Sequence, residues 1–408
     1  MWEGRLPVDE RHLNIKLLKG IVQELDPGRQ FFPASPSGPR FMVSLKEIGQ
    51  GVHHDVHGPW GYMGEGAHYE LFNRDDALLR SETGAAGASR RETIERHAGD
   101  FAVWPPTKAN PYWVHRGSWW IPWEELGRVF GPWNEEENEL GPFLAASRYL
   151  QVEALRYAAE ATRRREPEVA GFIVWMGNEP FPNNANTSLL EFDGTPKPAY
   201  YAIKRAFAPR QVSVRYDRVA YRSGERFAAR IFVHDEDPGA ASGSVRVRLM
   251  GAEGAVLTEA TYALRGDAPV HEVQEVGALT WEVEPCPHSV FMLRAEWRDA
   301  AGRLLASGDY LFTVDAGHPL EPLRRLPPAH VELTSGDGPG VLVATNSSQV
   351  LAAGVFLYGK DAAQFLGFDQ NALALLPGER VVIHCSDPSA RPEQVRVEWF
   401  NREGVDGI

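Results

Sequence analysis

The chain of 408 residues is poor in cysteine and contains no long apolar run. Its two cysteines are too few for a disulfide framework or a cysteine-rich metal site. No stretch approaches the roughly 20 apolar residues of a membrane helix. The N-terminus also lacks the basic start and apolar segment of a secretory signal. We therefore expect no membrane partner and a cytoplasmic location.

Positive charge is scarce as well. The chain has 42 Lys and Arg against 55 Asp and Glu, which gives a net charge of −13. Because this balance disfavours binding to phosphate backbones, no nucleic-acid partner is expected. The apolar fraction of 43% and the charged fraction of 24% are near the averages for globular proteins, which excludes a disordered chain.

Tryptophan is abundant and unevenly placed. Nine of the 12 Trp residues lie before residue 180, and several of them fall in the Pro-rich segment 104–133. Such a segment is typical either of a carbohydrate cleft or of a large loop with its own small core. The uneven composition divides the chain near residue 210.

Upstream of this division, helices alternate with short strands. Residues 11–25 and 142–164 carry apolar residues at helical spacing. Four short apolar segments are predicted as strands, at 30–34, 52–56, 77–80 and 171–176. Polar residues follow most of these segments, a pattern typical of a βα-barrel or an open parallel sheet. A closed barrel needs eight strands, and only about four are visible.

Downstream of residue 210 the pattern is all β. Alternating strands with turn signals run to about residue 314 and predict a β-sandwich over 211–318. The Pro-rich segment 319–328 is interpreted as a linker. A second set of strands predicts a smaller sandwich over 329–408.

Two strand ends upstream carry candidate site residues. Glu82 follows the strand at 77–80, where a carboxylate would meet a substrate at the mouth of a barrel; an exposed loop residue is the alternative. Asp55, His57 and Trp60 lie at the end of the strand at 52–56, and a structural turn is the alternative there. No His, Cys or acidic spacing matches a zinc or calcium pattern, so no metal is expected.

A third strand end carries Trp175, Asn178 and Glu179. An inward-facing Trp175 would offer an apolar surface on which a sugar ring could stack. A core position is the alternative for this tryptophan.

Together these segments resemble glycoside hydrolase family 2, and within it the β-mannosidase-like branch. The segment 171–209 carries the most specific similarity, to the eighth barrel strand and the final helix. The other similar segments are ELDPGRQFFPASPSG (24–38), HHDVHGPW (53–60), LLRSETGAAG (78–87) and GFDQNALALLPGERVVIH (367–384).

The resemblance implies a multidomain α/β plus all-β fold. Residues 1–210 would form the C-terminal half of a (β/α)8 barrel, followed by two immunoglobulin-like β-sandwiches at 211–318 and 329–408. It implies a retaining exo-β-glycosidase that acts on a terminal β-linked sugar of an oligosaccharide or glycoside, without a cofactor. Glu82 would be the nucleophile, and the sugar would contact the remaining candidates: Asp55, His57, Trp60, Trp175, Asn178 and Glu179.

Two departures from the family pattern matter. Thr83 stands where the family usually has an aromatic residue, and the first half of the family's architecture is not in this sequence. The general acid/base would therefore come from outside it, so we expect a truncated product, a separate N-terminal half or a homo-oligomer. Gly177-Asn178-Glu179 resembles the end of the acid/base motif, but the all-β sequence after residue 210 leaves no room for four further βα units.

Two other functions stay open at this point. The chain could be an inactive carbohydrate-binding or scaffold remnant of such an enzyme. It could also be an interaction module that uses the two sandwiches alone.

Overall fold

The computed structural model describes residues 2–3, 6–236, 243–265, 272–361 and 365–402. Up to residue 206 it alternates helices with short strands, as the sequence predicts. The helices of this part are α1 (Leu13–Leu25), α2 (Glu65–Arg74), α3 (Arg91–Arg96), α4 (Pro111–Gly117), α5 (Trp123–Phe130), α6 (Leu140–Arg163) and α7 (Pro198–Ala206). The strands are β1 (Trp2–Glu3), β2 (Leu6–Pro7), β3 (Asp55–His57), β4 (Leu79–Thr83), β5 (Gly87–Ala88), β6 (Gly171–Val174) and β7 (Ala185–Asn186). Across the described ranges, every helix is too short or too polar to cross a bilayer.

The centre of this part is a parallel sheet in the order β3–β4–β6. Asp55 pairs with Leu79, and Leu79 pairs with Gly171, so the carboxyl ends of the three strands meet at one edge. The strand predicted at 30–34 is wrong, because those residues form bends and irregular structure. Pro33 lies within that segment and cannot donate a ladder hydrogen bond.

Helices cover the sheet unevenly. Helix α6 confirms the prediction at 142–164 and is buried along most of its length. Helix α1 confirms the prediction at 11–25, but none of its residues is buried. Its apolar stripe, which consists of Leu13, Leu17, Ile21 and Leu25, is between 43% and 77% exposed. The helix therefore presents an uncovered apolar face among the described residues.

The middle of the chain forms two antiparallel-rich sheets that share a core. One has the order β13–β10–β8, and the other has the order β12–β11–β14–β15–β9. Their strands are β8 (Arg210–Arg215), β9 (Ala220–Tyr221), β10 (Arg226–Asp235), β11 (Gly243–Gly251), β12 (Val256–Ala263), β13 (Gln274–Glu282), β14 (Val290–Asp299) and β15 (Leu304–Val314). The ring of Phe227 lies 5.6 Å from that of Phe291, which joins the two sheets through the core.

The last part contains two three-stranded sheets, β16–β17–β20 and β19–β18–β21. Their strands are β16 (Val331–Ser335), β17 (Val341–Asn346), β18 (Ala352–Gly359), β19 (Leu373–Leu375), β20 (Arg380–His384) and β21 (Val395–Glu398). A short helix, α8 (Glu321–Arg324), precedes them. Leu320 and Leu323 are fully buried, so this segment packs against the rest of the protein, and its role as a linker stays a prediction. The predicted domain boundaries stay predictions.

Candidate active site

Glu82 lies near the carboxyl end of β4, the central strand of the parallel sheet. Its side chain is 25% exposed. The Trp60 indole Nε1–H donates a hydrogen bond of 3.0 Å to Oε2, and Nδ1 of His57 lies 3.4 Å from the same oxygen. No hydrogen-bond donor contacts Oε1 among the described residues. One carboxylate oxygen is thus held while the other is open.

The turn after β3 brings Trp60 over this carboxylate. Gly58 adopts a φ of 75°, which glycine accepts without strain, and its N–H donates to the Glu82 carbonyl at 2.7 Å. The Thr83 hydroxyl donates to the Pro59 carbonyl at 2.9 Å. These bonds fix the Gly58-Pro59-Trp60 turn against the end of β4.

Asp55 is buried beside the same edge. Its Oδ1 accepts a bond of 2.5 Å from the Ser81 hydroxyl, and its Oδ2 accepts one of 2.6 Å from the Ser37 backbone N–H. Both oxygens are therefore engaged within the protein. Asp55 therefore lies in one group with His57, Trp60 and Glu82, which we call the Glu82 cluster, and it has a supporting position there. Its contact with a sugar stays a prediction.

His57 contacts polar groups through both ring nitrogens. Nδ1 faces Glu82, and Nε2 lies 2.9 Å from the Ser35 hydroxyl. Burial lowers the pKa of His57, and the nearby carboxylates of Glu82 and Asp55 act in the opposite direction. Sequence reasoning missed Ser35, although the Ser35-Pro36-Ser37-Gly38 turn was visible.

Trp175 follows β6 and is partly buried. Its backbone N–H donates to the Thr83 carbonyl at 2.7 Å, which places it beside the end of β4. Its ring lies 5.7 Å from that of Trp120. The aromatic pair therefore lies near the carboxyl end of β4, the strand that carries Glu82, and Trp120 comes from the Trp-rich segment 104–133.

The rest of the Trp-rich segment mostly fills its own core. Trp113 is fully buried, and the rings of Trp104 and Trp123 pack near Phe143 of α6. Trp119 is the exception, because it is 89% exposed.

Glu179 lies in a different environment from Glu82. Its side chain is fully buried in an ion pair of 2.8 Å with Lys197, and Ser188 donates to the same Oε1 at 2.6 Å. Lys197 also donates to the Gly87 carbonyl at 3.0 Å. These contacts give Glu179 a structural role and leave its contact with a sugar as a prediction. Its neighbour Asn178 is exposed.

Two other features lie away from this cluster. The side chains of Glu166, His234 and Glu236 place possible metal-ligating atoms within 4.8 Å of one another. Arg163 contacts both His234 and Glu236, however, so a cationic group already engages two of these three side chains. A cavity of about 440 Å³ lies between α6, α7 and β15 and contains none of the predicted site residues.

The sequence is similar to those of known β-mannosidases. β-Mannosidase B from Aspergillus flavus and from Aspergillus fumigatus are each 24% identical to the chain over 217 residues. The matched region covers 50% of this chain and 24% of those proteins, so the chain spans only part of their length. No family model matches the sequence.

Solved structures show the same fold. A β-D-mannosidase from Dictyoglomus thermophilum superimposes with a TM-score of 0.70 at 18% identity, over 95% of this chain and 44% of that one. An exo-chitosanase from Amycolatopsis orientalis gives a TM-score of 0.58 at 17% identity, over 86% of this chain and 45% of that one.

The fold is therefore the mixed α/β fold found in part of these glycosidases. The resemblance to the β-mannosidase-like branch of glycoside hydrolase family 2 is confirmed.

Proposed function

We propose that this chain carries the nucleophile of a retaining exo-β-glycosidase of β-mannosidase-like type. The observation that supports this most is the state of Glu82: Oε2 is held by Trp60 and faces His57, whereas Oε1 has no donor among the described residues. An ionised carboxylate with one oriented and one open oxygen can attack an anomeric carbon and form a glycosyl-enzyme. Because similar proteins are named β-mannosidase and exo-β-D-glucosaminidase, we propose β-mannosides or β-glucosaminides as substrates.

Residues outside this sequence would supply the general acid/base. Retaining enzymes place their two carboxyl groups about 5–5.5 Å apart. Asp55 belongs to the Glu82 cluster, but both of its oxygens accept hydrogen bonds. Glu179 is buried in its pair with Lys197. Neither is well placed to protonate a leaving group, which favours an acid/base contributed by further polypeptide or by a different partner chain.

We also propose a three-part architecture for the chain. Residues 1–210 would be the C-terminal half of a (β/α)8 barrel, and 211–318 and 329–408 would be immunoglobulin-like sandwiches. The three-stranded parallel sheet supports the first assignment. The paired sheets of the two later parts support the others.

A binding role without catalysis is the second candidate. The Trp120–Trp175 pair beside the Glu82 cluster favours it, because aromatic surfaces bind sugars without any acid/base. This protein would retain sugar affinity and form no covalent intermediate.

Activated aryl glycosides separate the two candidates. A good leaving group needs little acid assistance, so the chain alone should release one equivalent of aryl alcohol from an aryl β-mannoside or aryl β-glucosaminide and gain the mass of the sugar. Glu82→Gln should abolish both signals while the fold persists. Glu95→Gln, a matched change at an exposed position of α3, should preserve them. Binding of the glycoside without release or mass gain would favour the binding role.

A further inference from the structure

A chain of hydrogen bonds links Asp55 to His57 through two serine hydroxyls. Ser81 donates to Asp55 Oδ1 at 2.5 Å, and Ser35 donates to Ser81 at 3.2 Å. Ser35 also lies 2.9 Å from Nε2 of His57. The chain therefore runs from Asp55 through Ser81 and Ser35 to the His57 ring.

The direction of these bonds fixes the tautomer of His57. A serine hydroxyl has one hydrogen to donate. Because Ser81 gives its hydrogen to Asp55, its oxygen can only accept from Ser35. Ser35 has then used its own hydrogen and can only accept at its contact with His57. The Nε2 atom of His57 must therefore carry a proton.

This leaves Nδ1 as the atom of His57 at which a proton is gained or lost. Nδ1 lies 3.4 Å from Glu82 Oε2. Asp55 on β3 and Glu82 on β4 are the charged groups that face His57 among the described residues. Phe41 and Trp60 supply the apolar contacts of the ring, at centroid distances of 5.2 and 6.1 Å.

We propose that Ser35 is a positioning residue of the Glu82 site. By accepting a hydrogen bond from Nε2 of His57, Ser35 keeps the proton of the neutral ring on Nε2. The Nδ1 atom that faces Glu82 is then the one that gains or loses a proton. A proton on Nδ1 can then be donated to Oε2, whereas the other tautomer would reverse the roles of the two nitrogens. The catalytic consequence rests on the proposed function. The tautomer itself is a property of the folded chain whether or not it hydrolyses glycosides.

Nitrogen NMR of the histidine rings tests the proposal in the full chain. The chain has 13 histidines, so the His57 signals are assigned by their loss in His57→Gln. We expect the Nε2–H tautomer in the neutral ring of the wild-type protein. Ser35→Ala should give a mixture of tautomers and lower the midpoint of His57 titration by about one pH unit, because the imidazolium loses a hydrogen-bond acceptor.

Two further variants make the result specific. Ser35→Thr keeps a hydroxyl and should restore the wild-type tautomer. Ser37→Ala keeps the backbone N–H that bonds to Asp55 and should leave His57 unchanged. A neutral wild-type ring that carries its single proton on Nδ1 would overturn the proposal even if Ser35→Ala failed to fold, and so would identical spectra for the wild type and a folded Ser35→Ala. If the wild type and all variants gave the expected spectra but showed no glycosidase activity, the result would count against the proposed function alone.

Discussion

The Trp60 indole N–H donates a 3.0 Å hydrogen bond to Oε2 of Glu82, the oxygen that also faces His57. This bond orients the carboxylate through Oε2, while Oε1 accepts no hydrogen bond from the described residues. The rate at which a carboxylate attacks a bound substrate depends on such orientation.

Replacing this donor tests the orientation. Trp60→Phe keeps an aromatic ring and removes the N–H, so we expect the rate of aryl glycoside cleavage to fall by about tenfold, which is within the range of one hydrogen bond to a charged group. Stopped-flow release of the aryl alcohol measures this. Trp104→Phe removes an indole bond to the Glu135 carbonyl outside the site and should leave the rate unchanged. An equal loss in both variants would contradict the assignment.

The Glu179–Lys197 pair should matter for stability. Glu179→Gln leaves a buried ammonium without its counter-charge, which typically costs about 3–5 kcal/mol of the free energy of unfolding. Denaturant unfolding followed by tryptophan fluorescence measures the loss. Glu259→Gln breaks an exposed pair with Arg246 and should have little effect, because water screens that pair. An unchanged stability in Glu179→Gln, together with weaker sugar binding, would return Glu179 to the list of sugar contacts.

Trp175 should contribute to sugar binding more than other tryptophans do. Trp175→Ala removes the ring that lies beside Trp120 at the end of the parallel sheet, and we expect at least a tenfold loss of affinity for an aryl β-mannoside or aryl β-glucosaminide, since aromatic contacts contribute on this scale. Trp119→Ala is the control, because this ring is 89% exposed and its loss opens no cavity. Calorimetric titration of both variants gives the comparison. Similar affinities would mean that Trp175 is only a packing residue.

Acid should destabilise the chain through His68. Burial lowers the pKa of His68 to about 4, against about 6.5 in an unfolded chain. Its Nε2 bonds to the Ala154 carbonyl, and its Nδ1 is buried with no partner among the described residues, so a second proton finds no acceptor there. Between pH 6.5 and 4 the unfolded state binds this proton and the folded state does not. The free energy of unfolding should therefore fall by about 3 kcal/mol across that window as the pH drops.

Unfolding curves at several pH values check this result. His68→Gln should lose this contribution to the pH dependence, whereas His330→Gln, at an exposed position, should retain it. A His68→Gln variant with the full wild-type dependence would show that other groups are responsible.

The uncovered face of α1 should make the isolated chain associate. Leu17 and Ile21 lie in the middle of the apolar stripe and are 62% and 43% exposed. Exposed apolar faces of this kind favour association. Leu17→Lys with Ile21→Lys should reduce the mass seen by light scattering and the binding of an apolar dye. Gln23→Lys adds one such positive charge on the same helix, outside the stripe, and should change neither. A monomeric wild-type chain would contradict the expectation.

Periodicity predicted the two longest helices of the first part well and one of its four strands wrongly. Helices α1 and α6 follow apolar spacing over many residues, and this signal survives errors at their ends. The segment 30–34 has apolar residues as well, but it is short and interrupted by Pro33, and Phe32 is 52% exposed in the structure. A short apolar run does not by itself establish a strand.

The sequence predicted the site residues that lie at strand ends. Because parallel strands end at one edge, Asp55, His57 and Glu82 were expected near that edge, and they lie together there. The pairing of Glu179 with Lys197 was not predictable, because it joins residues 18 positions apart through a loop. Ser35 was missed for the same reason, since no local pattern relates it to His57 across 22 positions.

Helix α6 has a consequence for truncation. It bonds to the Ala85 carbonyl through Gln151, to the Asp309 carbonyl through Arg156 and to Glu398 through Arg148. One helix thus binds the segment after Glu82, the middle sheets and the last strand. A chain that ends before residue 329 would lack Glu398 and leave Arg148 of α6 without its carboxylate partner, so backbone amides near Ala85 should exchange with deuterium faster in that shortened chain than in the full one.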